Sequence, residues 1–467
     1  GIRRHLIVGT NMETRRIAAA TLGCKLNQYE TEAVVGQFLA LGWHSVPVEE
    51  EADLVLVDTC TVTDRADQKA RHLVRQIIRR NPLAVVVVMG CYSQAAAEEL
   101  ARIPGVDYIV GTGEKRALAQ RLGEPEKQAE AVVMVARPGG REDRELLALD
   151  SFQRQTRAWL KIQDGCDVFC SFCIIPFTRG RSRSMLPEAV LEQARRLLDG
   201  GFVELVLTGV HMGDYGRDLD PPRSLAWLCA RLLELPGLRR LRLSSIEPWD
   251  ITDELLATMA ADARFCPHLH TALQSGSDEI LSAMGRRIDV GGIQRLFERV
   301  EHFLPGAGLG SDLICGFPGE TERHAEETFR LVEASPLGYL HVFPYSRRSG
   351  TKAAKLPDQL PVAEKKARCR ELLELGQRLQ AKSHAHALGQ VAEVLLEHGS
   401  ASRPAEGPTI LYGYTPDYLR VECTLPDHVP VQEAAGRLLP LRLVEDAGEH
   451  LRGEWTAFAM AHAKTHP

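Results

Sequence analysis

Three cysteines, Cys24, Cys60 and Cys91, each follow an apolar, strand-like run, and they recur at intervals of 36 and 31 residues. The runs are residues 16–22, 54–57 and 84–89. An interval of that length holds one strand, one helix and the turns joining them, on the order of 30 residues. The stretches between are helical in pattern: residues 29–41, then the basic amphipathic stretch 64–80. The third run is apolar throughout, as a parallel strand covered on both faces must be. In an open parallel sheet the carboxyl ends of the strands line one crevice. The repeat therefore predicts an α/β domain in which three thiols far apart in sequence converge on a shared ligand.

A second, tighter set lies in Gly165-Cys166-Asp167-Val168-Phe169-Cys170-Ser171-Phe172-Cys173, a C-x3-C-x2-C run entered directly from a strand at 159–162. Three thiolates on a cubic 4Fe-4S cluster leave one iron without a protein ligand, open to a small molecule or a sulfur species. Phe172, beside the last cysteine, helps to exclude water. By spacing alone the run also suits zinc. Two triads in one chain point to redox chemistry and to an enzyme. The other cysteines, Cys229, Cys266, Cys315, Cys369 and Cys423, follow no ligand spacing and read as packing residues. Eleven cysteines, an odd number, without a secretion signal argue for reduced thiols, a cytoplasmic location and no disulfide framework. No apolar stretch approaches the roughly 18–20 residues that span a bilayer. Met12 can serve as an initiator, which leaves the origin of residues 1–11 open.

From residue 123 to 155 the periodicity fades into Gly, Pro and mixed charge, including Arg137-Pro138-Gly139-Gly140, with one short strand at 131–135. Strands then recur at 159–162, 204–208, 240–244, 269–273, 308–314 and 340–344, with helices between. Six such units suit an α/β partial barrel whose chemistry sits on the carboxyl-end loops. A long charged helix at 363–386 closes it. The last segments, 391–396, 419–425 and 438–444, are short and β-like, as in a small β-barrel. The expected domains are 14–123, a linker at 124–151, 152–386 and 387–460.

The cysteine loop resembles the signature of the radical S-adenosylmethionine superfamily. Gly23-Cys24-Lys25-Leu26-Asn27, Asp58-Thr59-Cys60 and Gly90-Cys91 resemble the motifs of its methylthiotransferase family. So do Thr178-Arg179-Gly180-Arg181-Ser182-Arg183, Leu273-Gln274-Ser275-Gly276-Ser277, Asp312-Leu313-Ile314-Cys315-Gly316-Phe317-Pro318-Gly319-Glu320-Thr321 and His341-Val342-Phe343-Pro344-Tyr345-Ser346. Gly413-Tyr414-Thr415 resembles the centre of the RNA-binding TRAM barrel that ends these enzymes. The resemblance covers nearly the whole chain, in order. It implies two 4Fe-4S clusters, a radical-generating one on Cys166, Cys170 and Cys173 and an auxiliary one on Cys24, Cys60 and Cys91. It implies two uses of S-adenosylmethionine: one molecule methylates a sulfur, another yields the 5′-deoxyadenosyl radical that takes hydrogen from C2 of an adenine. Thr208, Gly209, Gln274, Ser275, Asp312 and Gly316 are the expected S-adenosylmethionine pocket; no catalytic acid, base or nucleophile is singled out. The partners implied are a tRNA anticodon loop, a sulfur donor and an electron donor such as flavodoxin or ferredoxin.

Lys25 and Asn27 followed by Glu30-Thr31-Glu32 resemble the branch that modifies N6-threonylcarbamoyladenosine at tRNA position 37. The rival substrates are isopentenyladenosine in tRNA and an aspartate of a small-subunit ribosomal protein. A rival of another class is a non-catalytic iron–sulfur RNA-binding or redox-sensing protein. Asp58 departs from the Asn usual in the family, and an acid there is expected to lower the auxiliary cluster's potential or weaken a supporting hydrogen bond. Net charge is −6, so RNA binding must rest on local patches. Arg179, Arg181 and Arg183, just after the cysteine loop, are expected to hold phosphates. The face of Lys69, Arg71, Arg75, Arg79 and Arg80 is as well explained by solvation as by RNA. From Ala387 to Pro467 there are six Lys and Arg against eleven Asp and Glu. There the candidate patch is Arg420 with Tyr412, Tyr414 and Tyr418, whose rings can stack on bases or fill the barrel core.

Overall fold

The computed structural model describes residues 15–138, 144, 147, 149, 155–399, 401, 402 and 408–456. Met12, Gly139 and Gly140, most of 141–154 and the end of the last expected domain lie outside them. The chain divides into two compact units: one ends at Arg137, and the other begins at Pro138 and includes residues 62–64.

The first unit is built on a six-stranded sheet. Its order is His44–Ser45, Arg16–Thr21, Leu54–Thr59, Val85–Gly90, Tyr108–Val110, Val132–Met134, and every pairing is parallel. Alternate residues of the central strands feed two separate cores. Val55, Val57, Val86 and Val88 pack with Val74 and Ile77 on one face. Leu54, Leu56, Val87 and Met89 pack with Val34, Phe38 and Trp43 on the other. The segment read as a strand within a linker is the sixth strand of this sheet; three half-exposed residues at an edge carry little hydrophobic signal. Lys25–Leu39 is helical four residues earlier than its apolar pattern predicts, because Asn27 is polar yet buried.

In the second unit, Ala158–Lys161, Glu204–Thr208 and Arg240–Leu243 form a three-stranded parallel sheet. Ser245–Ile246, His268–Gln274, Gly308–Cys315 and Tyr339–Pro344 form a four-stranded one. The segment 240–246 pairs into the first sheet by its front half and into the second by its back half, so the six expected strands make one curved wall. The helix Val362–Ala387 covers the last strand, and a Cβ added at Gly376 would lie 3.3 Å from the Leu340 side chain.

The C-terminal strands Val391–Leu396, Ile410–Tyr414, Arg420–Thr424, Leu451–Trp455 and Leu438–Asp446 close into a barrel around Val394, Leu411, Val421, Leu441 and Leu451. Two of them, Ile410–Tyr414 and Leu451–Trp455, show no strand pattern in the sequence because Gly413 and Gly453 interrupt it. Gly413 is required: a Cβ there would meet the Leu395 carbonyl oxygen at 2.3 Å.

The turn from Tyr414 to Tyr418 plugs the amino end of the curved wall. Arg242 donates to Glu204 Oε1 at 2.8 Å, to the Pro416 carbonyl at 2.9 Å and to the Thr415 carbonyl at 3.1 Å. Tyr418 stacks on His268 with ring centroids 4.5 Å apart, and Arg157 lies 4.7 Å over Tyr414. Tyr414 and Tyr418 therefore serve a domain junction and not a base-stacking surface. Arg420 over Tyr412, at 4.5 Å, is the part of the expected patch that stays outside it.

Candidate cluster sites and the barrel interior

Cys24, Cys60 and Cys91 stand just beyond three neighbouring parallel strands. The first two flank the point where the strand order reverses, the place where open α/β sheets bind ligands. A Cβ on Gly23 would sit 3.0 Å from Cys60 Cβ, and one on Gly90, whose φ is +105°, would sit 2.5 Å from the Thr59 carbonyl oxygen. The folded chain thus brings the three cysteine-bearing turns against one another. Cys24 is exposed, Cys60 half-buried and Cys91 buried.

Behind them lies a buried polar knot. The Cys24 thiol donates to Asn27 Oδ1 at 3.3 Å, and Asn27 Nδ2 donates to Asp58 Oδ1 at 3.0 Å and to the Thr59 carbonyl at 3.1 Å. Lys115 Nζ donates to Asp58 Oδ2 at 2.6 Å and to Glu30 Oε2 at 2.7 Å. The charge of Asp58, expected to weigh on the auxiliary cluster, is offset in part by a buried ammonium that it shares with Glu30.

The second triad occupies a loop fastened on several sides. Ser171 N donates to the Met284 carbonyl at 2.8 Å, Ala353 N to the Ser171 carbonyl at 2.8 Å and Cys173 N to the Cys170 carbonyl at 3.0 Å. Gly165 has φ +72°, and a Cβ there would meet the Arg181 carbonyl oxygen at 2.0 Å. Phe172 packs against the cluster of Met284, Phe317 and Tyr345. Burial pushes the Cys173 thiol up to about 12 and raises Cys170, for which Arg286 is the opposing influence. Such thiols ionise at neutral pH only against a bound cation, as metal ligands do. One side-chain donor already faces a sulfur. Arg286 Nη1 lies 3.4 Å from Cys170 Sγ. His211 pairs with Asp250 at 2.6 Å. Burial favours a neutral His211 ring, yet Asp250 and the nearby Cys166 hold its pKa up to about 10, and Nδ1 has no hydrogen-bond partner among the described residues. The donor set fits a 4Fe-4S cluster. Sequence reasoning missed Arg286, which carries no spacing signal, and His211.

Of the six residues expected around S-adenosylmethionine, Thr208, Gly209, Gln274 and Gly316 lie at carboxyl ends of strands. Gly209 is pressed on Gln163, whose carbonyl oxygen would lie 3.2 Å from an added Cβ. Gln274 has φ +71°. Two are committed inside the protein: Ser275 Oγ lies 3.4 Å from Thr328 Oγ1, and Gly316 N donates to Glu320 Oε1 at 2.8 Å. Asp312 lies deeper, mid-strand, where it meets two histidines. His270 Nε2 is 3.0 Å and His341 Nδ1 3.2 Å from Asp312 Oδ1.

Two of the three expected phosphate-binding arginines are corrected. Arg179 is 2% exposed, and both it and Arg183 bind Asp164, at 3.2 and 3.1 Å, beside Lys161 at 2.7 Å. They neutralise a buried carboxylate beneath the cysteine loop and cannot reach RNA. Arg181 is exposed, pairs with Asp167 at 2.6 Å, and lies 5.9 Å from the ring of half-exposed Phe169. In the basic helix, Arg71 is tied to Tyr92 and Glu99. The five remaining cysteines are all buried. No helix among the described residues is long and apolar enough to cross a membrane.

Residues 16–111 match the family described as Uncharacterized protein family UPF0004, and residues 160–332 match the Radical SAM superfamily. Threonylcarbamoyladenosine tRNA methylthiotransferase MtaB of Bacillus subtilis (strain 168) is 38% identical over 405 residues, 87% of this chain and 89% of the relative. MtaB of Aquifex aeolicus (strain VF5) is 36% identical over 82% of this chain and 92% of its own. The tRNA-2-methylthio-N(6)-dimethylallyladenosine synthase of Bacillus subtilis (strain 168) is 32% identical over 96% and 87%. Among solved structures, the radical S-adenosylmethionine methyltransferase TsrM from Kitasatospora setae aligns with a TM-score of 0.55 at 18% identity, over 73% of this chain and 77% of that one, a likeness of fold. A radical S-adenosylmethionine domain implies a 4Fe-4S cluster and S-adenosylmethionine as cofactors. The strand-end cysteine triads and relatives alike along most of their length lead to one conclusion: the chain belongs to the radical S-adenosylmethionine methylthiotransferase family.

Proposed function

We propose that the protein adds a methylthio group to C2 of N6-threonylcarbamoyladenosine at tRNA position 37, beside the anticodon. The observation that carries this reading is the run of relatives named for that reaction, 34–38% identical over most of both chains. The Lys25, Asn27 and Glu30-Thr31-Glu32 pattern supports the same branch.

In this reading Cys166, Cys170 and Cys173 hold the radical cluster and Cys24, Cys60 and Cys91 an auxiliary one. When bound, the clusters and S-adenosylmethionine supply the electron, the hydrogen-abstracting radical and the sulfur. The chain's own work is to hold and to insulate. Arg286 donates toward the Cys170 sulfur, and with His211, held by Asp250, it offsets negative charge at the cysteine loop. Asn27 fixes the Cys24 turn, while Lys115 offsets part of the charge of Asp58 and Glu30 behind it. The turn from Tyr414 to Tyr418 closes the amino end of the barrel, so cofactor and base enter from the carboxyl end, where Thr208, Gly209 and Gln274 are the remaining candidates to line the cofactor. Arg181 and the Arg420–Tyr412 pair are the exposed groups suited to an anticodon stem-loop. A flavodoxin or ferredoxin would supply electrons and a separate donor the sulfur, all in the cytoplasm.

The test offers reduced, cluster-loaded enzyme equal amounts of tRNA bearing threonylcarbamoyladenosine and tRNA bearing isopentenyladenosine, with nucleosides read by mass spectrometry. Methylthiolation of the first supports the proposal; methylthiolation of the second alone overturns it.

A further inference from the structure

The interior face of the last two strands carries chemistry that neither cluster uses. Parallel register places His270 beside Gly310 and Tyr339, Asp312 beside His341, and Ile314 beside Phe343. Residues two apart share a face, so Tyr339, His341 and Phe343 line the inside while Leu340 faces the helix Val362–Ala387. The polar groups form one chain. His268 Nε2 lies 2.8 Å from the Tyr339 hydroxyl, which lies 3.0 Å from His270 Nδ1. His270 Nε2 and His341 Nδ1 both converge on Asp312 Oδ1. Burial opposes ionisation of Asp312, but the bonds from the two imidazoles outweigh it and hold the carboxyl far below its usual range. An anionic Asp312 needs a proton on His341 Nδ1, which turns Nε2 outward. Among the described residues, His341 Nε2 and Asp312 Oδ2 have no hydrogen-bond partner. His341 is half-exposed on an edge strand, and so is Phe343, whose ring is 45% exposed although apolar.

We infer that Phe343 and His341 form the subsite for the substrate base: Phe343 stacks the adenine, and His341, positioned by Asp312, receives the carboxylate of its N6 substituent. This rests on the proposed substrate and assigns which residues select it. Residues two apart on a strand are about 7 Å apart, on the order of the span from a purine ring to the end of a threonylcarbamoyl group. The direction is right as well. Phe343 is nearer the carboxyl end, where the cysteine loop lies, so the ring meets the radical site and the N6 substituent points into the barrel. With a proton on each nitrogen an imidazole donates twice, and it is in that form that His341 bridges Asp312 and the incoming carboxylate. Asp312 Oδ2 remains to accept an N–H of the carbamoyl group. An isopentenyl chain offers neither the anion nor that second N–H, and it would leave these polar groups desolvated and unpaired.

The experiment uses reduced, cluster-loaded enzyme and three synthetic anticodon stem-loops, bearing threonylcarbamoyladenosine, its methyl ester, or isopentenyladenosine. Wild-type enzyme should favour the acid over the neutral ester by about tenfold to a hundredfold in kcat/KM, the range of a charge-assisted hydrogen bond. His341→Gln should bring that ratio close to one without changing the KM for S-adenosylmethionine in RNA-free cleavage. Phe343→Ala should raise KM for acid and ester alike and leave their ratio intact. Equal rates for acid and ester with wild-type enzyme, which needs no variant to fold, would overturn the inference. A ratio unchanged in His341→Gln, or a changed KM for S-adenosylmethionine there, would overturn it too, the latter by assigning His341 to the cofactor. Turnover of the isopentenyl stem-loop alone would instead reject the proposed substrate.

Discussion

Lys115 Nζ lies 2.6 Å from Asp58 Oδ2 and 2.7 Å from Glu30 Oε2, with all three side chains at most 2% exposed. One ammonium thus serves two carboxylates directly behind the first cysteine triad. The stakes are those of any buried ion cluster: the arrangement is close to neutral when complete and costly when one member is removed.

Lys115→Met should therefore destabilise the protein by about 3–5 kcal/mol, since two buried acids lose their cation. Asp58→Asn in the same chain should restore part of that loss. Urea unfolding of the metal-free proteins measures both. Equal stability of Lys115→Met and wild type would remove Lys115 from this role.

The two triads should fail separately. Loaded protein should hold about eight irons on the ligand count, and replacing Cys24, Cys60 and Cys91 together by Ala should leave about half. Cys170→Ala should lose formation of 5′-deoxyadenosine, whereas Cys60→Ala should still form it and yield no methylthio product. Normal cleavage by Cys170→Ala would place the radical chemistry elsewhere.

Asp164 and Arg181 should separate fold from binding. Asp164→Asn leaves Lys161, Arg179 and Arg183 without their shared anion and should cost about 3–5 kcal/mol in unfolding experiments. Arg181→Gln should leave stability unchanged and lower the slope of log affinity for tRNA against log salt by about one. An unchanged slope would exclude Arg181 from phosphate contact.

Acid should loosen the junction between wall and C-terminal barrel. Burial would raise the carboxyl of Glu204, but Arg242, Arg157 and Arg240 outweigh it and hold it below the ordinary range. A group depressed in the folded state binds fewer protons there than in the unfolded chain. Its stabilisation is thus present above the unfolded pKa of about 4.3 and is lost as pH falls through the folded one. The unfolding free energies of wild type and Glu204→Gln should differ by a constant amount near neutrality and converge below about pH 4.3. A difference that grows on acidification would contradict the sign.

The sequence by itself determined what depends on near neighbours. Apolar runs of period two and helical runs between them specify the parallel strands, and cysteines placed at the ends of those runs must meet wherever such strands pair. Residues 64–80 and 204–208 were legible for that reason, and so were both triads. Glycine-broken strands such as Ile410–Tyr414 were not, because a glycine that lets backbones approach removes the side chain that signals a strand. Charge carries no record of depth. Arg179, Arg181 and Arg183 look alike in the chain, yet two are sealed against Asp164 and one faces solvent. Asp58 looks uncompensated until Lys115, 57 residues away, arrives beside it. His270, Asp312 and His341 come from three strands, and only parallel register sets them side by side. Pairing across long separations decides which polar groups lose water, and a group that loses water must find its partner wherever the fold delivers one.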